Sequence, residues 1–242
     1  MDKNGDKQLK ERLKTMAEFD EVSANYEEVL SRGISLSGEN SDYFARNRVD
    51  HTAKLHACVD AKSETIMDYG CGTGGSVGYL LDAFNPNTLV ATDTSDRSLQ
   101  VLKQKYNSPK IKTKKVVSSD ANSSCDLCFS NGVFHHILPK DREEAAKFIY
   151  DSLNKGGAFH FWENNPWNPA THWVMSRIPF DRNAVKIFPH QAVKLLQKVG
   201  FEIKLIHYMF IFPRFLKIFR PIERFALRFP FGCQYLVLAQ KN

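Results

Sequence analysis

The chain has 242 residues, enough for one large α/β domain or two small ones, and its 43% hydrophobic and 25% charged content excludes collagen, coiled coil and wholesale disorder. No run of about 18 uncharged apolar residues occurs, which excludes a spanning helix, and the polar opening Met1-Asp2-Lys3-Asn4 is not followed by the apolar stretch of a secretory signal. The net charge of +6 is mild, and five cysteines, an odd number, argue against a disulfide framework and for a reducing, cytoplasmic setting.

Residues 1–60 are expected to form a helical arm, with weak periodicity from Leu9 to Phe19 and a second helix from Asp42 to Val59 that turns Phe44, Val49 and Leu55 toward a core. From 61 to 242 the period changes. Short apolar runs at Thr65–Met67, Leu89–Ala91, Val116-Val117, Asp126–Phe129 and Ala158–Trp162 alternate with helical stretches at Val77–Phe84, Ser98–Tyr106 and Asp141–Leu153. This alternation predicts βαβ units around a mostly parallel sheet. A further helix fits Gln191–Val199, stopped by Gly200, and strands fit Phe201–His207 and Gln234–Ala239. The reading is one doubly wound α/β domain behind a helical arm.

The run Asp68-Tyr69-Gly70-Cys71-Gly72-Thr73-Gly74-Gly75 closes the first strand. Its glycines let the backbone turn sharply and approach a ligand before the next helix, and Gly70, Gly72 and Gly75 also satisfy the dinucleotide pattern G-x-G-x-x-G. Asp68 decides between cofactors. A carboxylate at the strand end, with no lysine or arginine in the loop, repels a pyrophosphate and suits a cationic ligand. A second acid, Asp93, ends the next strand at the distance from the loop where an acid reaches ribose hydroxyls, with Thr94 beside it; the competing reading is a cap on the helix that follows.

Asp68–Gly74 resembles the first motif of class I S-adenosylmethionine-dependent methyltransferases. Ser118-Ser119-Asp120-Ala121 resembles the third-strand segment beside the adenine, Asp126–Ile137 the fourth motif, and Leu153-Asn154-Lys155-Gly156-Gly157 the turn before the fifth strand. The order and spacing match over about three quarters of the chain. Tyr43-Phe44-Ala45-Arg46 and the turn Glu163-Asn164-Asn165-Pro166-Trp167-Asn168-Pro169 are similar to segments of uncharacterised bacterial small-molecule methyltransferases, from which this chain departs at Asn164, where those enzymes commonly carry a histidine. The resemblance implies a seven-stranded sheet with an antiparallel last strand, and S-adenosylmethionine as cofactor. It further implies cofactor contacts from Asp68, Gly70, Cys71, Gly72 and Gly74 in the loop, Asp93 and Thr94 at the ribose, Asp120 and Ala121 at the adenine, and Ser130 and Asn131 in the fourth motif. Tyr26, Tyr43 and Arg46 become lid contacts, or simple packing of the arm. The implied activity is methyl transfer to a small-molecule or lipid-like acceptor; the alternatives are a non-catalytic cofactor-binding sensor and, more distantly, a nucleotide-dependent oxidoreductase.

His135 follows the fourth strand at the carboxyl edge, where an imidazole can take a proton from an attacking hydroxyl or amine, or can simply hold the loop. Glu163, at the end of the fifth strand, is the comparable candidate for acceptor binding. Cys125-Asp126-Leu127-Cys128 lacks a second ligand pair and falls on a buried strand, where positions three apart face opposite ways. No metal is expected. From Pro213 to Phe231 five basic residues accompany one acid, Glu223, and Lys217, Arg220, Arg224 and Arg228 fall opposite Phe215, Phe219, Ile222, Ala226 and Phe229 around a helix. Pro221 should split the segment. It either meets an anionic membrane, at the inner face, or packs its phenylalanines on its own domain. Nucleic acid is not expected as a partner, because these cations are interleaved with apolar residues.

Overall fold

A computed structural model describes residues 30, 32–116, 125–181 and 184–242. Helix α1 (Ser41–His56) starts where the Asn40 side chain accepts from the Tyr43 amide. Then come β1 (Thr65–Tyr69), α2 (Val77–Phe84), β2 (Thr88–Asp93), α3 (Asp96–Lys105), β3 (Ile111–Lys115), β4 (Cys125–Asn131), α4 (Arg142–Ser152) and β5 (Leu153–Asn164). The chain closes with α5 (Pro169–Arg177), α6 (Pro189–Lys198), β6 (Phe201–Met209), α7 (Arg220–Ala226) and β7 (Gln234–Lys241).

The strands form one seven-stranded sheet in the order β3-β2-β1-β4-β5-β7-β6. β1 to β5 run parallel, and β7 lies antiparallel between β5 and β6. The order reverses between β1 and β4, so the crevice beyond their carboxyl ends is where such a sheet takes a ligand. Alternating side chains build a core on each face. Met67, Phe159 and Phe161 pack with Phe134 and Leu196 on one side; Ile66, Leu127 and Trp162 pack with Leu80, Leu102 and Val49 on the other. Val49 and Leu55 bring α1 into this second core, and the buried Trp162 indole donates to Thr52 Oγ1 at 3.0 Å.

Three expectations are corrected. The third strand is Ile111–Lys115, ahead of Val116-Val117: it is an edge strand whose lysines hide the apolar alternation while blunting the edge against pairing. Val116 follows it, and Val117 lies outside the described residues. Helix α5 was not expected; the Asn168 carboxamide caps it and Pro169 opens it. Cys125 and Cys128 belong to one core cluster, where strand alternation alone places positions three apart on opposite faces. Both are buried free thiols whose pKa burial pushes up, so their chemistry is that of packed side chains.

Candidate active site

β1 ends at Tyr69 and the chain turns at once. Gly70, Gly72 and Gly74 take φ of 74°, 52° and 84°, the left-handed region that favours glycine. The amides of Gly70 and Cys71 donate to Thr92 O at 2.8 and 2.9 Å. A Cβ on Gly70 would lie 2.4 Å from Val133, and on Gly74 3.0 Å from Leu102 and Tyr106. A Cβ on Gly72 would meet nothing within 4 Å. The outer two glycines admit close packing, while Gly72 leaves its backbone open to a cavity of about 570 Å³.

Asp68 lines that cavity. It is buried, and its Oδ2 has no hydrogen-bond partner; the same holds for Asn131 Oδ1, on the cavity wall at the end of β4. A buried acceptor without a donor is costly, so two of them at one cavity suit a ligand that brings donors or positive charge. Burial, with Asp93 nearby, raises the Asp68 pKa to about 7.

Other expected residues divide. Cys71 lines the cavity, its thiol pKa raised by burial. Tyr43 lines it too, beneath the Arg220 guanidinium at 4.6 Å and edge-on to Phe44 and Phe210. Asp93 serves the loop: its Oδ2 accepts from the Gly72 amide at 2.9 Å and its Oδ1 from Ser95 N at 2.8 Å. The helix cap is Ser95, not Asp93. Asp93 and Thr94 stand beside the cavity wall without forming part of it, and Thr94 is exposed. Ser130 is buried with an unpartnered hydroxyl, beneath the wall rather than on it. Arg46 does not reach the cavity; its exposed guanidinium pairs with Asp50, one turn along α1. The buried Arg48 lines the wall and donates to Gln234 Oε1 at 3.0 Å. Tyr26, Asp120 and Ala121 lie outside the described residues.

His135 and Glu163 do come together. His135 Nδ1 donates to Glu163 Oε2 at 2.6 Å, and its backbone amide and that of Asn164 also donate to this carboxylate. His135 Nε2 lies 3.4 Å from Asp181 Oδ1, and His136 Nε2 is 3.2 Å from the same oxygen. Burial opposes the charge on His135, but Glu163 and Asp181 outweigh it and its pKa rises; burial likewise opposes the charge on Asp181, and the two histidines bring it down to about 2. With Nδ1 of His135 held by Glu163 and Nε2 turned to Asp181, neither ring nitrogen is left facing an acceptor alone, which disfavours a general-base role. Asp181 escaped the sequence reading because it sits in the loop after α5, a stretch without motif or period. Val185 N, which donates to His135 O at 2.9 Å, stitches that loop to the histidines.

The turn Asn165–Pro169 is a clamp. The Asn165 carboxamide donates to Pro230 O and Gly232 O, and that of Asn168 to Phe231 O, which closes the excursion from 213 to 231. This excursion forms a 3-10 turn (Arg214–Phe219) and α7, divided at the proline as expected. Its acid, Glu223, turns inward to accept from the Phe212 amide, and Arg220 turns inward to Glu39 at 2.9 Å. The phenylalanines do not pack inside: Phe215, Phe225 and Phe231 are 78%, 71% and 58% exposed.

Residues 67–161 match the protein family described as "Methyltransferase domain". The chain is 26% identical over 162 residues to a carboxy-S-adenosyl-L-methionine synthase of Campylobacter concisus, covering 65% of this chain and 66% of that protein. It is 29% identical over 186 residues to a fatty-acid O-methyltransferase of Mycolicibacterium smegmatis, covering 73% and 65%. The chain thus spans just under two thirds of the length of these relatives. A crystal structure of an S-adenosylmethionine-dependent methyltransferase from Thermotoga maritima shares the fold, with a TM-score of 0.64 at 16% identity over 94% of this chain and all of that one. The sheet order, the glycine loop and these likenesses make residues 67–161 a methyltransferase domain on the fold of class I S-adenosylmethionine-dependent methyltransferases. Its cofactor is S-adenosylmethionine, and the unpartnered oxygens of Asp68 and Asn131 beside the open Gly72 backbone fit the cofactor's ammonium end.

Proposed function

We propose that this chain is an enzyme that methylates a small acceptor with an apolar body, taken from an anionic membrane surface. The observation that carries the reading is the cavity itself, polar at Asp68 and Asn131 and lined elsewhere by Phe44, Val174, Met175, Ile178 and Phe212. S-adenosylmethionine supplies the methyl group and a neutral thioether leaving group. Asp68 and Asn131 hold its cationic end, and Gly72 permits close approach of the backbone. The apolar wall excludes water and aligns the acceptor for in-line attack, which is the protein's main contribution to such a transfer. Glu163 acts by fixing the His135 ring, and His135 acts by position instead of by accepting a proton.

The fatty-acid O-methyltransferase among the relatives supports a lipid-like acceptor. So does the excursion from 213 to 231, whose Pro213 and Arg220 line the same cavity, next to Phe212. Its exposed phenylalanines stand among the exposed cations Arg214, Lys217, Arg224 and Arg228. A second copy laid on this face by a two-fold axis would oppose like charges, whereas an anionic bilayer takes both the rings and the cations. The test supplies the full chain with S-adenosylmethionine and medium- or long-chain fatty acids on anionic vesicles, and follows S-adenosylhomocysteine and the methylated product by mass spectrometry. Turnover that Asp68→Asn lowers at limiting cofactor is the expected result. Cofactor binding with no turnover on any apolar acceptor would contradict it and leave a sensor.

A further inference from the structure

We propose that His135 Nε2, His136 Nε2 and Asp181 Oδ1 are the protein ligands of a divalent transition-metal ion of the zinc or manganese class on the wall of the cavity. Among the described residues this is the group of three histidines, cysteines or acids whose ligand atoms converge, all within 4.8 Å of one another. The two contacts to Asp181, at 3.4 and 3.2 Å, match the roughly 3.0–3.5 Å that separates neighbouring ligands around an ion bound at about 2.0–2.2 Å. Two imidazoles and one carboxylate are a donor set that zinc, manganese and iron(II) accept, and three protein ligands leave positions open, as a catalytic ion requires.

The surroundings are built for such a site. A ligating histidine ordinarily donates its second ring N–H to a carboxylate, which fixes the tautomer and aims the other nitrogen at the metal. Glu163 does this to His135 at 2.6 Å and is itself held by two backbone amides. The consecutive histidines come from a tight turn, in which His136 N donates to Val133 O at 3.0 Å and the two rings stand 4.1 Å apart. Asp181 is delivered by the 3-10 turn Pro179–Asp181, its amide donating to Ile178 O. His135, His136 and Asp181 all line the cavity that Asp68 and Gly72 share, so an open metal position faces the space assigned to the acceptor. Resting on the proposed methyl transfer, the inference extends to the acceptor: a carboxylate or hydroxyl oxygen of it binds the ion, which lowers that oxygen's pKa and orients its lone pair.

The test is metal binding by the untagged full chain without cofactor or acceptor, so that it can fail independently of the methyl-transfer reading. Zinc or manganese titrated into chelator-treated protein should bind at one ion per chain. Asp181→Asn and His136→Ala should each weaken binding by more than 100-fold, and Glu163→Gln by about 10–100-fold through loss of the orienting carboxylate. Retained S-adenosylhomocysteine binding certifies that each variant is folded. Cobalt(II) in the same site should give visible bands of nitrogen and oxygen ligation without a thiolate charge-transfer band. Absence of stoichiometric metal, metal that survives both first-sphere variants, or a thiolate band would overturn the assignment. The first of these would leave the cluster a hydrogen-bonded network that braces the cavity wall.

Discussion

Asp68 is under two opposed demands. Burial raises its pKa to about 7, while its place at the glycine loop calls for the charged form to meet a cationic ligand. The unfolded carboxyl titrates near pH 4, so between about pH 4 and 7 the folded chain keeps a proton that the unfolded chain has lost. The resulting stability is fully present below about pH 4 and drains away as pH rises through 7. Asp68→Asn removes the ionisation: without cofactor it should melt several degrees above the native chain at pH 8, and level with it at pH 4. The same variant should bind S-adenosylmethionine about 10- to 150-fold more weakly at pH 8, the loss of a charged hydrogen bond of about 1.5–3 kcal/mol. Melts and calorimetry at the two pH values check both halves; a variant less stable than the native chain at pH 8 would contradict the first. The place of Asp68 on the wall of the cavity was legible in the sequence because it adjoins the glycines of the loop. Asp181 was not, since its role is conferred by histidines that only the folded chain brings to it, and Arg46 was misplaced because a motif assigns a helix its residues but not which of them faces the cavity.

At the scale of elements, α1 is fastened to the sheet through two histidine pairs. His51 Nε2 lies 3.1 Å from His207 Nδ1 of β6, and His56 Nδ1 lies 3.3 Å from His160 Nε2 of β5. Burial, helped by His207 and Lys54, lowers the His51 pKa to about 4, and burial lowers those of His56 and His160 as well. The unfolded histidines titrate near 6.5. Their contribution is therefore complete above that pH and is lost as pH falls toward 4, where the unfolded chain takes up protons that the folded chain refuses. Hydrogen exchange should show the α1 amides losing protection between pH 7 and pH 5, after correction for intrinsic rates, ahead of those in β1 and β4. Unchanged protection would detach the helix from these pairs. α2 was readable to its last residue because one apolar stripe and two turn signals agree, whereas β3 was displaced because its lysines carry no apolar alternation.

For the whole molecule, alternating period 2 and period 3.6 disclosed the doubly wound sheet, and the glycine loop disclosed the crevice where its order reverses. What the sequence could not decide was whether the excursion from 213 to 231 turns its rings inward or outward, since both arrangements satisfy the same helical spacing. With the rings outward and Arg220 turned inward, the cations that remain for a surface are Arg214, Lys217, Arg224 and Arg228. The chain should float with anionic vesicles, less as salt rises, and not with zwitterionic ones. Changing Lys217, Arg224 and Arg228 to glutamine should weaken binding by about 3 kcal/mol, at about 1 kcal/mol per cation, and leave the melting temperature unchanged. Flotation indifferent to lipid charge would contradict the electrostatic part of this account. Among the described residues no helix is long and apolar enough to cross a membrane.

Titrating S-adenosylhomocysteine into the full chain at pH 8 asks whether the cavity beside Asp68 and Gly72 receives the adenosyl cofactor. One site per chain should saturate, and NAD should give no heat. Gly72→Val, whose side chain would project into space that no protein atom fills within 4 Å and whose backbone must hold a left-handed φ, should abolish the signal. Saturation by NAD, or undiminished S-adenosylhomocysteine binding in the valine variant, would contradict that assignment.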